Sequence, residues 1–242
     1  FLFVLSFLFG KKNELPVCFA WSFPYAGAIM SLGLAPFIMQ VTNSLAQIAC
    51  NSVLMRYGGA VFVSIMTIVS SVRSILDVPV MAITDGASPS ISYNYGAGRP
   101  QNVRKAIRVM MALALPYTVA VWALVMAVPQ IFVRIFSEDA AILEGASRAL
   151  HLYFCAFVFQ SFQYSGQTVF KALNKKGNAI FFSLFRKVIL VVPLTFLLPA
   201  AAGLGTDGVF IAEPVSNLIG GMACFVTMLL TVLPELKRMA EK

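Results

Sequence analysis

The sequence predicts an all-α membrane protein with six transmembrane helices and a cytoplasmic C-terminus, and three observations carry that expectation. Apolar residues make up 59% of the 242-residue chain and charged residues only 12%, with a mean hydropathy of +0.84. A soluble domain carries about 25% charged residues. The apolar residues gather in runs long enough for the roughly 20 residues that a crossing helix requires. The basic residues behind the formal net charge of +8 fall in short clusters between those runs, which is how a membrane protein encodes orientation. That placement argues against a nucleic-acid partner.

The first run, 1–9, reads as the tail of a preceding transmembrane helix. No Met or basic residue comes before it, and Lys11 and Lys12 follow it, the reverse of a signal peptide. The chain is accordingly expected to be a fragment. Residues 10–30 are expected to form a cytoplasmic loop and an interfacial segment punctuated by Pro16 and Pro24. The expected crossings cover 31–55, 60–92, 109–133, 149–170, 179–202 and 209–233, within a lobe spanning 31–235, before a cytoplasmic tail at 236–242.

Nothing between Leu15 and Met55 is charged, so that stretch could cross twice, and orientation decides the count. One crossing puts Lys11 and Lys12 on the same side as Arg99, Arg104, Lys105 and Arg108. Lys171, Lys175, Lys176, Lys237, Arg238 and Lys242 then fall there too. Two crossings would set the first cluster against the others, contrary to the positive-inside rule. The outside connections hold Arg56, Arg134 and Arg148 with the acids Glu138, Asp139, Glu144 and Asp207.

Polar side chains at membrane depth are costly and tend to face a bundle interior or a pathway. Gln40, Asn43, Gln47 and Asn51 recur at three- and four-residue spacing on the first helix, one stripe of one face. Gln160, Gln163, Tyr164 and Gln167 form a second stripe on the fourth helix. Such amides either join helices or line a substrate cavity, and two aligned stripes favour the cavity. Arg73 and Asp77 lie four apart on the second helix and can meet; Asp85 follows two turns on. Lys187 is expected to snorkel towards the inner interface. Arg186, ~12 Å from the inner end of its helix, and Glu213, ~7 Å from the outer end of its own, are expected to be about 10 Å apart along the membrane normal. They should not pair. Glu213 then stands as an uncompensated acid able to bind a proton or cation, or as a helix-start carboxylate beside Pro214.

The second helix ends in Tyr93 and Tyr95, suited to the membrane–water boundary, and in Gly96 and Gly98, suited to a left-handed helix stop. Pro116, Pro193 and Pro199 interrupt other helices. Cys18, Cys50, Cys155 and Cys224 show no Cys-x-x-Cys spacing, and His151 is the only histidine, so neither a metal site nor a disulfide framework is indicated.

Taken whole, SYNYGAGR at 92–99 resembles the hallmark of MATE (multidrug and toxin extrusion) transporters. GLAPFIMQVTNSLAQ at 33–47, KALNKKGNAIFF at 171–182 and the run from Arg186 to Gly221 extend the resemblance from Leu32 to Glu235. The ending LGTDGVFIAEPVSN is most like the MepA-type bacterial branch. The resemblance implies the C-terminal six-helix lobe of a twelve-helix transporter of the MOP superfamily, in the plasma (inner) membrane of a bacterium. It implies export of small organic, often cationic, drugs or metabolites by alternating access. Its coupling ion would be H+ or Na+, with no other cofactor, and its partners would be membrane lipid and a missing N-terminal lobe. Many MATE proteins carry coupling carboxylates where Ser44 and Gln163 stand here. Coupling then falls to the first lobe, or to Asp77, Asp85 or Glu213.

Other readings are weaker. A lipid-linked oligosaccharide flippase of the same superfamily would line its cavity with more cations than Arg73 and Arg186. An intramembrane aspartyl protease would need more than GLGTDG at 203–208, where Thr206 breaks the motif, and a rhomboid-type site would have to use His151 without a Gly-x-Ser-x-Gly. A passive membrane subunit would not need two amide stripes.

Overall fold

A computed structural model describes residues 23–201 and 203–241. It divides into two units, Phe1–Ala35 and Pro36–Lys242. Within the first, residues 23–35 are helical; the long apolar helices belong to the second, beginning at Phe37. The expected helix tail at 1–9, and residues 10–22 of the expected loop, lie outside the described residues.

Helix α1 (Phe23–Gly96) cannot be one crossing. Its predominantly apolar 60-residue stretch from Phe37 to Gly96 would measure ~90 Å at 1.5 Å per residue, three times the ~30 Å of a membrane core. Gly59 breaks it, with φ 70° and ψ −166°, a conformation closed to residues with a Cβ. The two arms, to 58 and from 60, are separate crossings. The second stops at Gly98, whose φ is +66°, and the Arg99 amide donates back to the Asn94 carbonyl at 2.9 Å.

Pro100 then opens α2 (Pro100–Ala127), where a missing N–H costs nothing. A short α3 (Pro129–Arg134) leads to α4 (Ala140–Phe154) and α5 (Phe159–Ala172), which bend by 53° across their break and together make one crossing. The next crossing runs through α6 (Lys176–Leu184), a π segment (Phe185–Val191) and α7 (Val192–Ala201). The last is α8 (Thr206–Ala240), which packs on α2, α4, α5, the π segment and α7. With α1 divided at Gly59 and α4–α5 counted as one span, the described residues make six crossings and hold no strand. At Gly221 the backbones of α8 and α5 approach so closely that a Cβ would lie 2.7 Å from the Phe159 carbonyl oxygen.

The apolar interior comes in two separate blocks. The first gathers Leu54, Ile65, Val69, Leu150, Phe154 and Phe210 towards the Gly59 end. The second gathers Ile91, Met110, Phe170, Phe182, Met228 and Leu236 towards the Gly98 end. Between them each contributing element carries buried polar residues: Arg73 and Asp77 on α1, Gln160 to Gln167 on α5, Arg186 in the π segment, and Glu213 and Asn217 on α8. Each of these elements is also irregular at that level. Pro79 lies in α1, the α4–α5 break precedes Gln160, the π segment contains Arg186, and Pro214 follows Glu213. Large apolar side chains such as Ile75, Val78, Phe196 and Leu230 remain exposed on the outside, a surface that only lipid or another apolar partner covers at low cost.

Candidate functional site

The polar layer is a connected ion cluster. Oε1 of Glu213 accepts from Arg186 Nη1 at 2.9 Å, from Lys187 Nζ at 2.9 Å and from Arg73 Nη1. Arg73 uses its whole guanidinium. Its Nε donates to Asp77 Oδ2 at 3.2 Å, its Nη2 to Gln160 Oε1 at 3.1 Å, and its Nη1 also to the Tyr153 hydroxyl at 2.7 Å. Tyr164 donates to the same Asp77 oxygen at 3.2 Å, and Arg186 Nη1 to Asn217 Oδ1 at 2.6 Å. Arg73, Asp77, Arg186 and Glu213 are all buried, with Glu213 only 5% exposed. Three cations meet two carboxylates, so the cluster carries one net positive charge.

This arrangement corrects three expectations. Arg186 and Glu213 do pair, because both helices begin earlier than the hydropathy suggests. Arg186 stands ten residues beyond Lys176 and Glu213 seven beyond Thr206, or ~15 Å and ~10 Å along their axes. In a core of ~30 Å that closes the axial gap to about 5 Å, which the Arg186 side chain spans. Glu213 is therefore neither an uncompensated acid nor a carboxylate at a helix start. Lys187 does not snorkel to the interface: its side chain is 12% exposed and turns inward to Glu213. Arg186 and Lys187 are adjacent in sequence and reach one oxygen from a segment whose ladder has widened to i→i+5, as the bond from the Val192 amide to the Lys187 carbonyl shows. Such π turns recur at functional sites.

A cavity of about 510 Å³ opens beside the cluster. Gln40, Asn43 and Gln47 from the first stripe and Tyr164 and Gln167 from the second border it, together with Arg73, Asp77, Asp85, Arg186 and Lys187. Asn51, Gln160 and Gln163 do not. Asn51 accepts from Gln47 Nε2 at 3.4 Å. Gln160 is fully buried as the acceptor for Arg73. Gln163 is buried with both carboxamide atoms lacking a partner among the described residues. Asp85 sits at the edge of the cavity, 3.8 Å from Lys171 and largely exposed, outside the cluster. Ser44 is exposed and donates to the Gln40 carbonyl at 3.2 Å.

Sequence reasoning missed Tyr153 and Asn217, and it placed Lys187 at the interface rather than in the cluster. The two missed residues left a signal. Tyr153 continues the second stripe seven residues before Gln160, and Asn217 lies one turn after Glu213. The enzyme-like motifs lie elsewhere. Thr206 and Asp207 begin α8, Asp207 pairs with Arg148, and His151 faces the Met126 carbonyl at 3.1 Å. Among the described residues no group of acids, histidines and cysteines is placed to hold a metal, and Cys50, Cys155 and Cys224 are free thiols.

A family model described as MatE matches residues 36–197. The FAD transporter of Shewanella oneidensis is 29% identical over 156 residues, which make up 63% of this chain and 33% of that protein. The multidrug export protein MepA of Staphylococcus aureus is 24% identical over 178 residues, 73% of this chain and 38% of that protein. A crystal structure of MATE in the bent conformation superposes with a TM-score of 0.89 at 20% identity, covering 100% of this chain and 54% of that one. A multidrug resistance MATE family transporter of the MOP superfamily, in its outward-facing conformation, gives a TM-score of 0.88 at 21% identity over 98% of this chain and 53% of that one. These structural likenesses are likenesses of fold. The chain spans about half the length of the solved transporters, and its matches cover 33% and 38% of the two curated relatives.

Proposed function

Because the chain belongs to the MatE family, we propose that it forms one six-helix lobe of an exporter of small organic molecules, completed by a second lobe. The cavity carries this reading: a polar hollow at the depth of the ion cluster, bordered by residues of both amide stripes. Pockets that combine a mostly uncharged wall with a few placed polar groups bind varied small ligands. Alternating access would move this lobe against its partner around a site between them. The two curated relatives carry different cargo by their names, FAD for one and multiple drugs for the other, so kinship alone supports transport and leaves the cargo open.

Coupling to H+ or Na+ is part of the same proposal. Ser44 and Gln163 supply no charge, and Glu213 is engaged with three cations. Of the acids at the cavity, Asp77 keeps one oxygen, Oδ1, without a partner among the described residues, while Asp85 faces Lys171. A bacterial plasma membrane with the basic loops inside is the matching location. The test is efflux of cationic, neutral and anionic dyes, with ethidium, riboflavin and FMN among them, from cells lacking their own pumps, and from proteoliposomes under an imposed proton or sodium gradient, using the full-length gene product. Gradient-driven efflux is expected. Its absence under both gradients, with the protein folded and correctly inserted, contradicts the exporter reading.

A further inference from the structure

Resting on that reading, we infer that the cavity takes organic molecules bearing an anionic group, a phosphate monoester or carboxylate, and holds that group on Arg186 and Lys187. The first support is the charge count. Arg73, Lys171, Arg186 and Lys187 border the cavity against Asp77 and Asp85, and adding Glu213 behind them still leaves one positive charge unmatched. An unbalanced charge is expensive at membrane depth, and an arriving anion balances it where an arriving cation adds to it.

The second support is which donors remain. Arg73 has Nε, Nη1 and Nη2 all engaged, so it acts as scaffold. Lys187 spends one of its three N–H donors, on Glu213. Arg186 commits Nη1 to Glu213 and Asn217 and has its Nε buried, so what it brings to the cavity wall is its positive charge. These are the donor types that recognise phosphate and carboxylate. The third support is the remaining wall. Gln40, Asn43, Gln47, Tyr164 and Gln167 are uncharged, suited to the body of a molecule whose single charged end is held by the two cations.

The experiment compares FMN with riboflavin, which share a fluorescent ring system and differ by one phosphate, and adds ethidium as a cation. Equilibrium binding to the purified full-length transporter in detergent is followed by fluorescence, with no gradient. FMN should bind at least tenfold more tightly than riboflavin and ethidium. Lys187→Gln should weaken FMN about tenfold and leave riboflavin unchanged. Because that variant takes a partner from Glu213 and can misfold, Gln40→Glu supplies a second arm. It adds an acid to an exposed part of the wall without touching the cluster, and should weaken FMN while tightening ethidium. FMN binding no better than riboflavin, ethidium binding tightest, or FMN affinity unmoved in both folded variants would each overturn the inference. Farnesyl phosphate as competitor separates the sources of the anion. Displacement of FMN at lower concentration than inorganic phosphate supports a lipid-borne anion at this site, and failure to displace supports a free solute. Binding and gradient-driven efflux are independent readouts, so loss of anion preference with intact ethidium efflux sinks the inference and spares the exporter.

Discussion

Replacing Glu213 with Gln tests the ion cluster most directly. The carboxylate oxygen that serves Arg73, Arg186 and Lys187 loses its charge, and only Asp77 remains to face three cations. The buried net charge rises from one to two. Removing one partner from a buried ion pair costs ~3–5 kcal/mol. For a full-length protein about twice the length of this chain each kcal/mol lowers the melting temperature by ~1–2 °C, so a drop of about 3–10 °C is expected. The assay is thermal melting of the full-length protein in detergent, read by the loss of its monodisperse peak on size exclusion. A second variant, Glu213→Gln with Lys187→Met, returns the cluster to its original net charge and should recover part of the loss. The two changes should then be non-additive, as contacting residues are. A Glu213→Gln protein melting within ~2 °C of the parent, or a double variant no more stable than the single one, would refute the cluster.

Four more outcomes rest on the same geometry. Gly221→Val should lower stability by ~1–3 kcal/mol, since even a Cβ there lies 2.7 Å from the Phe159 carbonyl oxygen; an unchanged melt would mean that α5 and α8 are further apart. Leucine at Gln40, Asn43 or Gln167 should alter dye export while abundance stays near the parent level, whereas loss of abundance with unchanged export per molecule would make these amides structural. Glu235→Gln, which frees Tyr95 and Lys175 at a half-exposed position, should change stability by less than ~1 kcal/mol. Single cysteines at Gln101 and Asn178 should react only from the cytoplasm, and at Ser137 and Thr206 only from outside; labelling of Gln101 and Ser137 from one side would break the proposed orientation.

Most of the fold is legible because the lipid core demands long apolar helices with every backbone group paired, and the basic clusters mark alternate connections. Helix ends are harder. Hydropathy starts a span where the side chains become apolar, while the backbone starts it at Lys176 and Thr206, a turn earlier in each case. That one-turn difference separates Arg186 from Glu213 in a hydropathy reading and hides their contact. The amide spacing on each helix can be read, but facing partners cannot, so nothing in the sequence says that Gln160 serves Arg73 while Gln167 meets open space. Lys187 escapes for a different reason: a π segment re-aims its neighbours, and no residue in FRKVILV announces one.

The layer between the two apolar blocks has a mechanical consequence. Helix backbones resist bending through their i→i−4 ladder, and they kink where proline or a π bulge interrupts it. Here Pro79, the α4–α5 break, the π segment and Pro214 all fall at the level of the charged residues. Bending stiffness is therefore lowest in one plane across the lobe, while the well-packed blocks above and below it act as stiff levers. Flexure in that plane changes the spacing of Arg73, Arg186 and Glu213 before it disturbs anything else, so whatever occupies the adjoining cavity is coupled to the lobe's curvature through charge separation.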